Sequence, residues 1–66
     1  MRVELRVLRA KTNQTQQSIA ARTGISVATY NLIENGKRRG SIKFWQMLQK
    51  EFGLTDAEIW KAQQNI

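Results

Sequence analysis

Apolar residues recur at spacings of three and four along this chain, and short polar or glycine-containing stretches interrupt them. Such spacing is typical of helices that bury one side. Residues 3–11 predict a first helix, in which Leu5 and Leu8 face a core. Residues 42–52 predict another helix, whose apolar stripe consists of Trp45, Leu48 and Phe52. The pattern as a whole predicts an all-α protein.

Residues 15–37 predict two short helices joined by a tight turn. The hydroxyl of Thr15 can cap the first of them and that of Ser26 the second, because the first backbone N–H groups of a helix have no partner within it. Gly24 stands where the chain must leave the first helix. We expect it to adopt a positive φ, a conformation that glycine tolerates best. An Asn-Gly pair then stops the second helix.

The same spacing predicts which side chains of these two helices are buried. Ile19 and Ala20 point inward from the first helix, and Tyr30 and Ile33 point inward from the second. Ala20 must be small, because two helices that cross at so short a turn leave no room for a long side chain. The complete predicted core consists of Leu5, Leu8, Ile19, Ala20, Ile25, Tyr30, Ile33, Trp45, Leu48, Phe52 and Ile59.

A capping box opens the last predicted helix. The hydroxyl of Thr55 can accept a hydrogen bond from the backbone N–H of Glu58, and the Glu58 carboxylate can reach back to the backbone of Thr55. The apolar side of this helix carries Ile59 and either Trp60 or Ala62.

Composition narrows the class of protein. Residues 1–66 make one domain, close to the smallest size at which a core without cross-links suffices. The chain has neither Cys nor His, which excludes disulfides and thiolate sites and leaves only carboxylates to bind zinc or iron. We therefore expect no cofactor and no metal. No apolar run approaches the roughly 20 residues of a membrane span, and nothing resembles a signal peptide, so a soluble cytoplasmic protein is expected.

No group of residues predicts catalysis. Asp56 and Glu58 are the nearest approach to a pair of catalytic carboxylates, but they stand at the start of a predicted helix. Acidic residues there commonly act as caps and as partners of the helix dipole. We predict that the protein is not an enzyme.

The positive charge is concentrated in one part of the chain. The net charge is +6 overall, with +7 in residues 1–43 and −1 in residues 44–66. A polyanion that docks on the two-helix segment explains this distribution, and a basic surface that serves only solubility is the alternative. Because the charge coincides with the motif, we favour a nucleic acid. The cations of the basic part are Arg2, Arg6, Arg9, Lys11, Arg22, Lys37, Arg38, Arg39 and Lys43.

Thirteen positions of the two-helix segment match a widespread pattern with the correct internal spacing: Gln16, Ile19, Ala20, Gly24, Ile25, Ser26, Thr29, Tyr30, Ile33, Glu34, Asn35, Gly36 and Lys37. The segment resembles the DNA-binding domain of the phage lambda repressor and Cro superfamily, and the resemblance extends more loosely over residues 4–60. It implies a compact five-helix, lambda-repressor-like bundle with a helix-turn-helix at about residues 15–34. Such domains usually bind operator DNA as dimers.

The resemblance also implies an ion pair between Arg9 and Glu34. Glu34 lies at the edge of the buried side of its helix, and the matching acid in the family pairs with an arginine of the first helix. A buried, unpaired acid is costly, so Glu34 needs a partner if it is buried. The alternative is that both side chains are exposed and that their interaction contributes little.

Polar groups at both ends of the two-helix segment are candidates for DNA phosphates. Gln16 opens the first of the two helices, where free N–H groups and the helix dipole favour an anion. The resemblance implies further phosphate contacts from residues after the second helix and from the other side of the groove: Asn35, Lys37, Arg38, Arg39 and Lys43, with Arg6 and Thr15 opposite.

The candidate base-reading face follows from helix geometry. At about 100° per residue and with Tyr30 inward, Ala28, Asn31 and Leu32 point outward and Val27 lies on the flank. The apolar members can pack on thymine methyl groups, and Asn31 can pair with adenine. Thr29 and Gln16 are candidates for additional base contacts.

The function predicted from these observations is a sequence-specific DNA-binding regulator of the repressor or Cro type. The alternative is a protein-interaction module that docks a partner on the apolar face formed by Val27, Ala28 and Leu32, such as an anti-repressor or a subunit of a paired regulatory complex. A homodimer on DNA is expected to use the last helix and the loop before it, with Leu54, Trp60 and Ile66 as spare apolar groups. The length suits a small Cro-like protein or the N-terminal part of a longer repressor.

Overall fold

Five α-helices make up the secondary structure of the computed structural model, which describes residues 1–66 and contains no strand. The prediction of an all-α fold is confirmed, and the bounds of the first and fourth helices are those that the apolar spacing predicted. The helices are α1 (Val3–Lys11), α2 (Gln16–Thr23), α3 (Val27–Glu34), α4 (Ile42–Phe52) and α5 (Asp56–Gln63).

Side-chain caps set the beginnings of four helices. Thr15, Ser26, Ser41 and Thr55 each accept a hydrogen bond from the backbone N–H three residues further on, at 3.0–3.1 Å. Each such cap stabilises its helix by about 1 kcal/mol. The capping box of α5 is complete, because the backbone N–H of Thr55 donates to the Glu58 carboxylate at 2.9 Å. This hydrogen bond, with that of the Thr55 hydroxyl, holds the pKa of Glu58 below its usual range.

The turn between α2 and α3 depends on the backbone of Gly24. Its φ is +74°, in the left-handed region, as the sequence predicted. A Cβ atom added there would meet nothing within 4 Å, so the backbone conformation and not a lack of space requires glycine. The N–H of Ile25 donates to the carbonyl of Ala20 at 3.1 Å and closes the end of α2.

On α4 the core includes one residue more than the sequence predicted. On α5 the structure decides between the two residues that the sequence left as alternatives. Phe44, which the single predicted stripe omitted, is 1% exposed, and its ring packs beside those of Tyr30 on α3 and Trp45. Of the two alternatives on α5, Ala62 is buried with Ile59, whereas Trp60 is 66% exposed. The buried apolar residues are Leu5, Ile19, Ala20, Tyr30, Ile33, Phe44, Trp45, Leu48, Ile59 and Ala62.

Some predicted core residues lie at its margin instead. Leu8, Ile25 and Phe52 are partly buried and pack against the core. Leu54, which we expected to be a spare apolar group for dimerisation, also packs against the core, so that expectation is wrong for this residue. The reason is that the loop between α4 and α5 folds back onto α4, where the N–H of Leu54 donates to the carbonyl of Gln49 at 3.0 Å.

The packing of the helices leaves one side of α3 free. α3 packs against α2 and α1, and α1 also packs against α5. None of the five helices combines the length and the apolar character needed to cross a bilayer.

Candidate nucleic-acid interface

The helical geometry placed four residues on the free side of α3, and the structure exposes two of them, Val27 and Ala28, but leaves Asn31 and Leu32 half-buried. Val27 is 46% exposed and Ala28 is exposed, whereas Tyr30 and Ile33 are buried. Three further candidates for base contacts, Thr29, Asn31 and Leu32, are half-buried. The free surface of α3 is therefore largely apolar. Among the predicted base-contact residues on α3, Asn31 is the only one with an amide side chain.

Leu32 lies outside the hydrophobic core. It is half-buried but is not among the partly buried apolar residues that pack against the core cluster. Its backbone carbonyl accepts hydrogen bonds from the N–H groups of Lys37 and Arg38, at 2.8 and 3.3 Å, which turn the chain after α3. The side chain is thus only partly open to a ligand, and the backbone of Leu32 is hydrogen-bonded directly to the basic loop.

A buried ion pair joins α3 to α1. Arg9 donates from Nε and Nη2 to the two carboxylate oxygens of Glu34, at 2.9 and 3.1 Å, and Glu34 is 2% exposed. Nε of Arg6 lies 3.7 Å from the same carboxylate, while its side chain is 53% exposed. Burial is the largest single influence and alone would raise the pKa of Glu34, but the hydrogen bonds and positive charge of Arg9, together with the other polar neighbours, outweigh it and lower that pKa, so Glu34 stays ionised.

The hydroxyl of Tyr30 lies beside this pair. It is the one buried side-chain polar atom without a hydrogen-bond partner. Burial, with the negative charge of Glu34, raises the pKa of the Tyr30 phenol far above its usual range. Tyr30 therefore stays neutral, and it fills the core through its ring, whose centroid lies 6.2 Å from that of Phe44.

The beginning of α2 is linked to α3 by amide side chains. Thr15 is exposed, with its hydroxyl oxygen occupied by the backbone N–H of Ser18. Gln16, half-buried, donates to Glu34 at 3.4 Å and accepts from Asn31 at 3.2 Å. The structure therefore brings together two residues predicted separately as DNA contacts, Gln16 and Asn31.

The loop after α3 presents its cations to solvent. Lys37, Arg38 and Arg39 are exposed, as is Lys43 in the first turn of α4, and none of them forms a salt bridge. Asn35 is also exposed and donates to the side-chain oxygen of Asn31 at 3.1 Å. These unpaired cations and the exposed surface of α3 form what we call the basic face: the exposed side of α3 (Val27–Glu34) and Asn35, with Lys37, Arg38, Arg39 and Lys43.

Arg2 holds the backbone of that loop from the inside. Arg2 contributes to the positive charge of residues 1–43, but it is 6% exposed and its guanidinium faces the interior. It donates to the carbonyls of Ile33 at 2.6 Å, Arg38 at 2.8 Å and Arg39 at 3.4 Å. The positive charge thus satisfies the carboxyl end of α3, where the helix dipole is negative.

The indole ring of Trp45 contacts both the loop backbone and Arg2. Its Nε1 donates to the carbonyl of Arg39 at 3.1 Å, and the Arg2 guanidinium lies 5.7 Å from the ring centroid. No signal in the sequence pointed to Arg2, because it precedes the first helix and its partners lie more than thirty residues away along the chain. The loop backbone is therefore hydrogen-bonded from the interior, while the Lys and Arg side chains of the loop are exposed.

Comparison with known proteins agrees with this geometry. The model of a helix-turn-helix domain family matches residues 1–59. No curated protein and no solved structure matches the chain significantly. Because the family model covers most of the chain, including all of α1 to α4, this protein belongs to the helix-turn-helix DNA-binding domain family of the lambda repressor and Cro type.

Proposed function

We propose that this protein is a sequence-specific transcriptional regulator of the repressor or Cro type, which occupies an operator by placing α3 in the major groove. The observation that carries the proposal is the basic face. An exposed helix surface of small side chains is bordered by four cations that have no acidic partner. Such a surface suits the groove and the phosphates beside it. The proposed role is binding without catalysis, in the cytoplasm.

The proposed contacts divide into two kinds. The base contacts come from α3 and from the first residue of α2, namely Gln16, Val27, Ala28, Thr29, Asn31 and Leu32. The phosphate contacts come from the loop after α3 and from residues on the opposite side, namely Arg6, Thr15, Gln16, Asn35, Lys37, Arg38, Arg39 and Lys43. Phosphate contacts supply affinity and register, and base contacts supply specificity.

A second candidate function is supported by the apolar character of α3. The surface formed by Val27, Ala28 and Leu32 can dock a protein instead of DNA, as in an anti-repressor or a subunit of a paired regulatory complex. We favour DNA because Lys37, Arg38, Arg39 and Lys43 are all free of salt bridges. A surface built for an apolar partner alone does not need them.

Selection of binding sites from random duplex DNA tests the proposal. We expect a half-site rich in A·T pairs, because Asn31 suits adenine and the apolar side chains suit thymine methyl groups. We also expect the selected sites to contain two half-sites centred about 34 Å apart, one turn of duplex, as a dimer requires. Failure to enrich any sequence, with binding to random DNA that is independent of salt, would contradict the proposal and favour a protein partner.

A further inference from the structure

Four polar side chains form a continuous hydrogen-bonded chain from the core to the surface of α3. Gln16 Nε2 donates to Glu34 Oε1 at 3.4 Å, and Asn31 Nδ2 donates to Gln16 Oε1 at 3.2 Å. Asn35 Nδ2 then donates to Asn31 Oδ1 at 3.1 Å. Within this hydrogen-bonded chain, Gln16 and Asn31 each donate through the amide nitrogen on the side toward Glu34 and accept through the amide oxygen on the opposite side.

The direction of the chain is dictated by the group at its inner end. An ionised carboxylate only accepts hydrogen bonds, so Gln16 must turn its NH2 group toward Glu34. Its oxygen then faces Asn31, which must answer with its own NH2 group. If the amide of Asn31 were reversed, two oxygens would face each other at Gln16 and two NH2 groups at Asn35. The orientation of Asn31 therefore follows from the charge of Glu34.

The inner end of the chain cannot easily change. Glu34 is held by two hydrogen bonds from Arg9 and is almost completely buried. Its lowered pKa keeps it ionised at neutral pH. The Glu34 carboxylate therefore remains a hydrogen-bond acceptor. It orients the half-buried amide of Asn31 through one intervening side chain, that of Gln16.

The groups that Asn31 has left over match one base. Its NH2 group has two hydrogens and its oxygen two lone pairs, and the chain uses one of each. One donor and one acceptor remain. In the major groove adenine offers an acceptor at N7 and a donor at N6, whereas guanine offers two acceptors.

Resting on the function proposed above, we infer that Glu34, acting through Gln16, fixes the Asn31 amide in the orientation that selects adenine over guanine. Gln16 and Glu34 are positioning residues for this choice, and Asn31 is the residue that makes it. The specificity of the exposed surface is thus set in part by a buried charge.

The experiment compares two DNA duplexes: the site selected by the wild-type protein, and the same site with its adenine changed to guanine. The adenine that is changed lies at the base pair where the Asn31→Ala variant no longer distinguishes adenine from other bases. We expect the wild-type protein to prefer adenine by about tenfold or more, the range of a bidentate contact. Gln16→Met, which keeps the length and removes the amide, should reduce the preference to about threefold or less. Gln17→Met is the matched control, since Gln17 is exposed on the same helix and makes no side-chain hydrogen bond, and should keep the preference.

A second variant separates the orientation of Asn31 from any direct contact that Gln16 makes with DNA. Glu34→Gln retains the shape of the side chain but both donates and accepts, so the amide chain can run in either direction. Measured at a temperature where the variant is folded, it should also lose the preference while Gln16 is intact. If Glu34→Gln keeps the full preference for adenine, or if the site shows no adenine at that position, the inference is wrong although the proposed function stands. Failure to select any site overturns both.

Discussion

Nη1 of Arg2 donates a 2.6 Å hydrogen bond to the carbonyl of Ile33, thirty-one residues further along the chain. The same nitrogen donates to the carbonyl of Arg38 at 2.8 Å. One buried guanidinium therefore joins the end of α3 to the loop that carries the unpaired cations. The backbone of Arg2 is attached to the same end of α3, because its N–H donates to the carbonyl of Glu34 at 2.8 Å.

We expect Arg2→Met to lower the free energy of unfolding by about 1.5–3 kcal/mol, the range for hydrogen bonds to a charged group, because buried carbonyls lose their donor. Urea denaturation measures the loss. Amide hydrogen exchange in residues 36–40 should also become faster, because the loop loses its internal support. The matched control is Lys50→Met, which removes an exposed cation and should change stability by less than about 0.5 kcal/mol. Equal stability of the two variants would contradict the role given to Arg2.

The ion pair of Arg9 and Glu34 predicts how stability depends on pH. The folded protein holds the pKa of Glu34 below that of an unfolded glutamate, so the unfolded state binds the proton more readily. The contribution of the pair is therefore complete above about pH 4.3, the ordinary pKa of glutamate, and is lost as the pH falls through the lower folded value. Denaturation of the wild-type protein across pH 2–7 checks this window.

Glu34→Gln isolates that contribution. Removal of one partner of a buried pair costs about 3–5 kcal/mol, and we expect the lower end because the side chain of Arg9 is 22% exposed. The difference in stability from the wild-type protein should shrink in acid, where Glu34 is protonated in both folded and unfolded states. Glu51→Gln is the control, since Glu51 is exposed and forms no salt bridge. If the difference in stability between Glu34→Gln and the wild-type protein stays constant down to pH 2, Glu34 is excluded as the group responsible for the pH dependence.

The basic face, together with the exposed Arg6 of α1, predicts a steep dependence of DNA affinity on salt. If Arg6, Lys37, Arg38, Arg39 and Lys43 each neutralise one phosphate, the logarithm of the binding constant should fall with the logarithm of salt by about 4–5 per monomer. Lys37→Ala should weaken binding to operator and to random DNA alike and flatten the slope by about 1. Lys61→Ala, on α5, should leave the slope unchanged. A salt-independent affinity would remove the electrostatic model.

Leu32 is the residue on which the two candidate functions differ most. If its side chain packs on a thymine methyl, Leu32→Ala should lose about 1–3 kcal/mol of discrimination at that base pair while binding to random DNA persists. Stability should change little, because Leu32 does not pack against the core cluster. Measurements of the melting temperature and of both affinities in the same variant check all three statements. Intact operator binding together with a lost protein complex would favour the partner-docking function.

Exposed apolar groups of α5 and the chain after it predict a weak dimer contact. Trp60 is 66% exposed and Ile66 is 88% exposed, and neither belongs to the core cluster. We expect Trp60→Ser to weaken binding to a site with two half-sites while leaving binding to a single half-site unchanged. The single half-site is the internal control for folding and for the basic face. Equal effects on both DNA duplexes would exclude Trp60 from a dimer contact.

The sequence by itself was sufficient to predict the helices, their caps and the family. The spacing of Leu5 and Leu8 predicted α1, and Ser26 and Thr55 capped their helices as predicted. These features depend on residues within one or two turns of each other, so local physical chemistry decides them. Gly24 is similar, because the requirement for a positive φ arises within the turn itself.

The family resemblance implied one contact between helices, the Arg9–Glu34 pair, and the structure confirms it. The other side chains that meet between helices were decided only by the tertiary structure. Periodicity gives directions relative to one helix axis, so it could not distinguish Ala62 from Trp60 or show that Phe44 packs beside Tyr30 of α3. Nothing in the sequence indicated that Arg2 is buried, because its carbonyl partners lie far along the chain. The link from Glu34 through Gln16 to Asn31 likewise depends on how closely α2 approaches α3. Hydrogen bonds between distant residues depend on separations of about 3 Å, which only the packing of the whole domain sets.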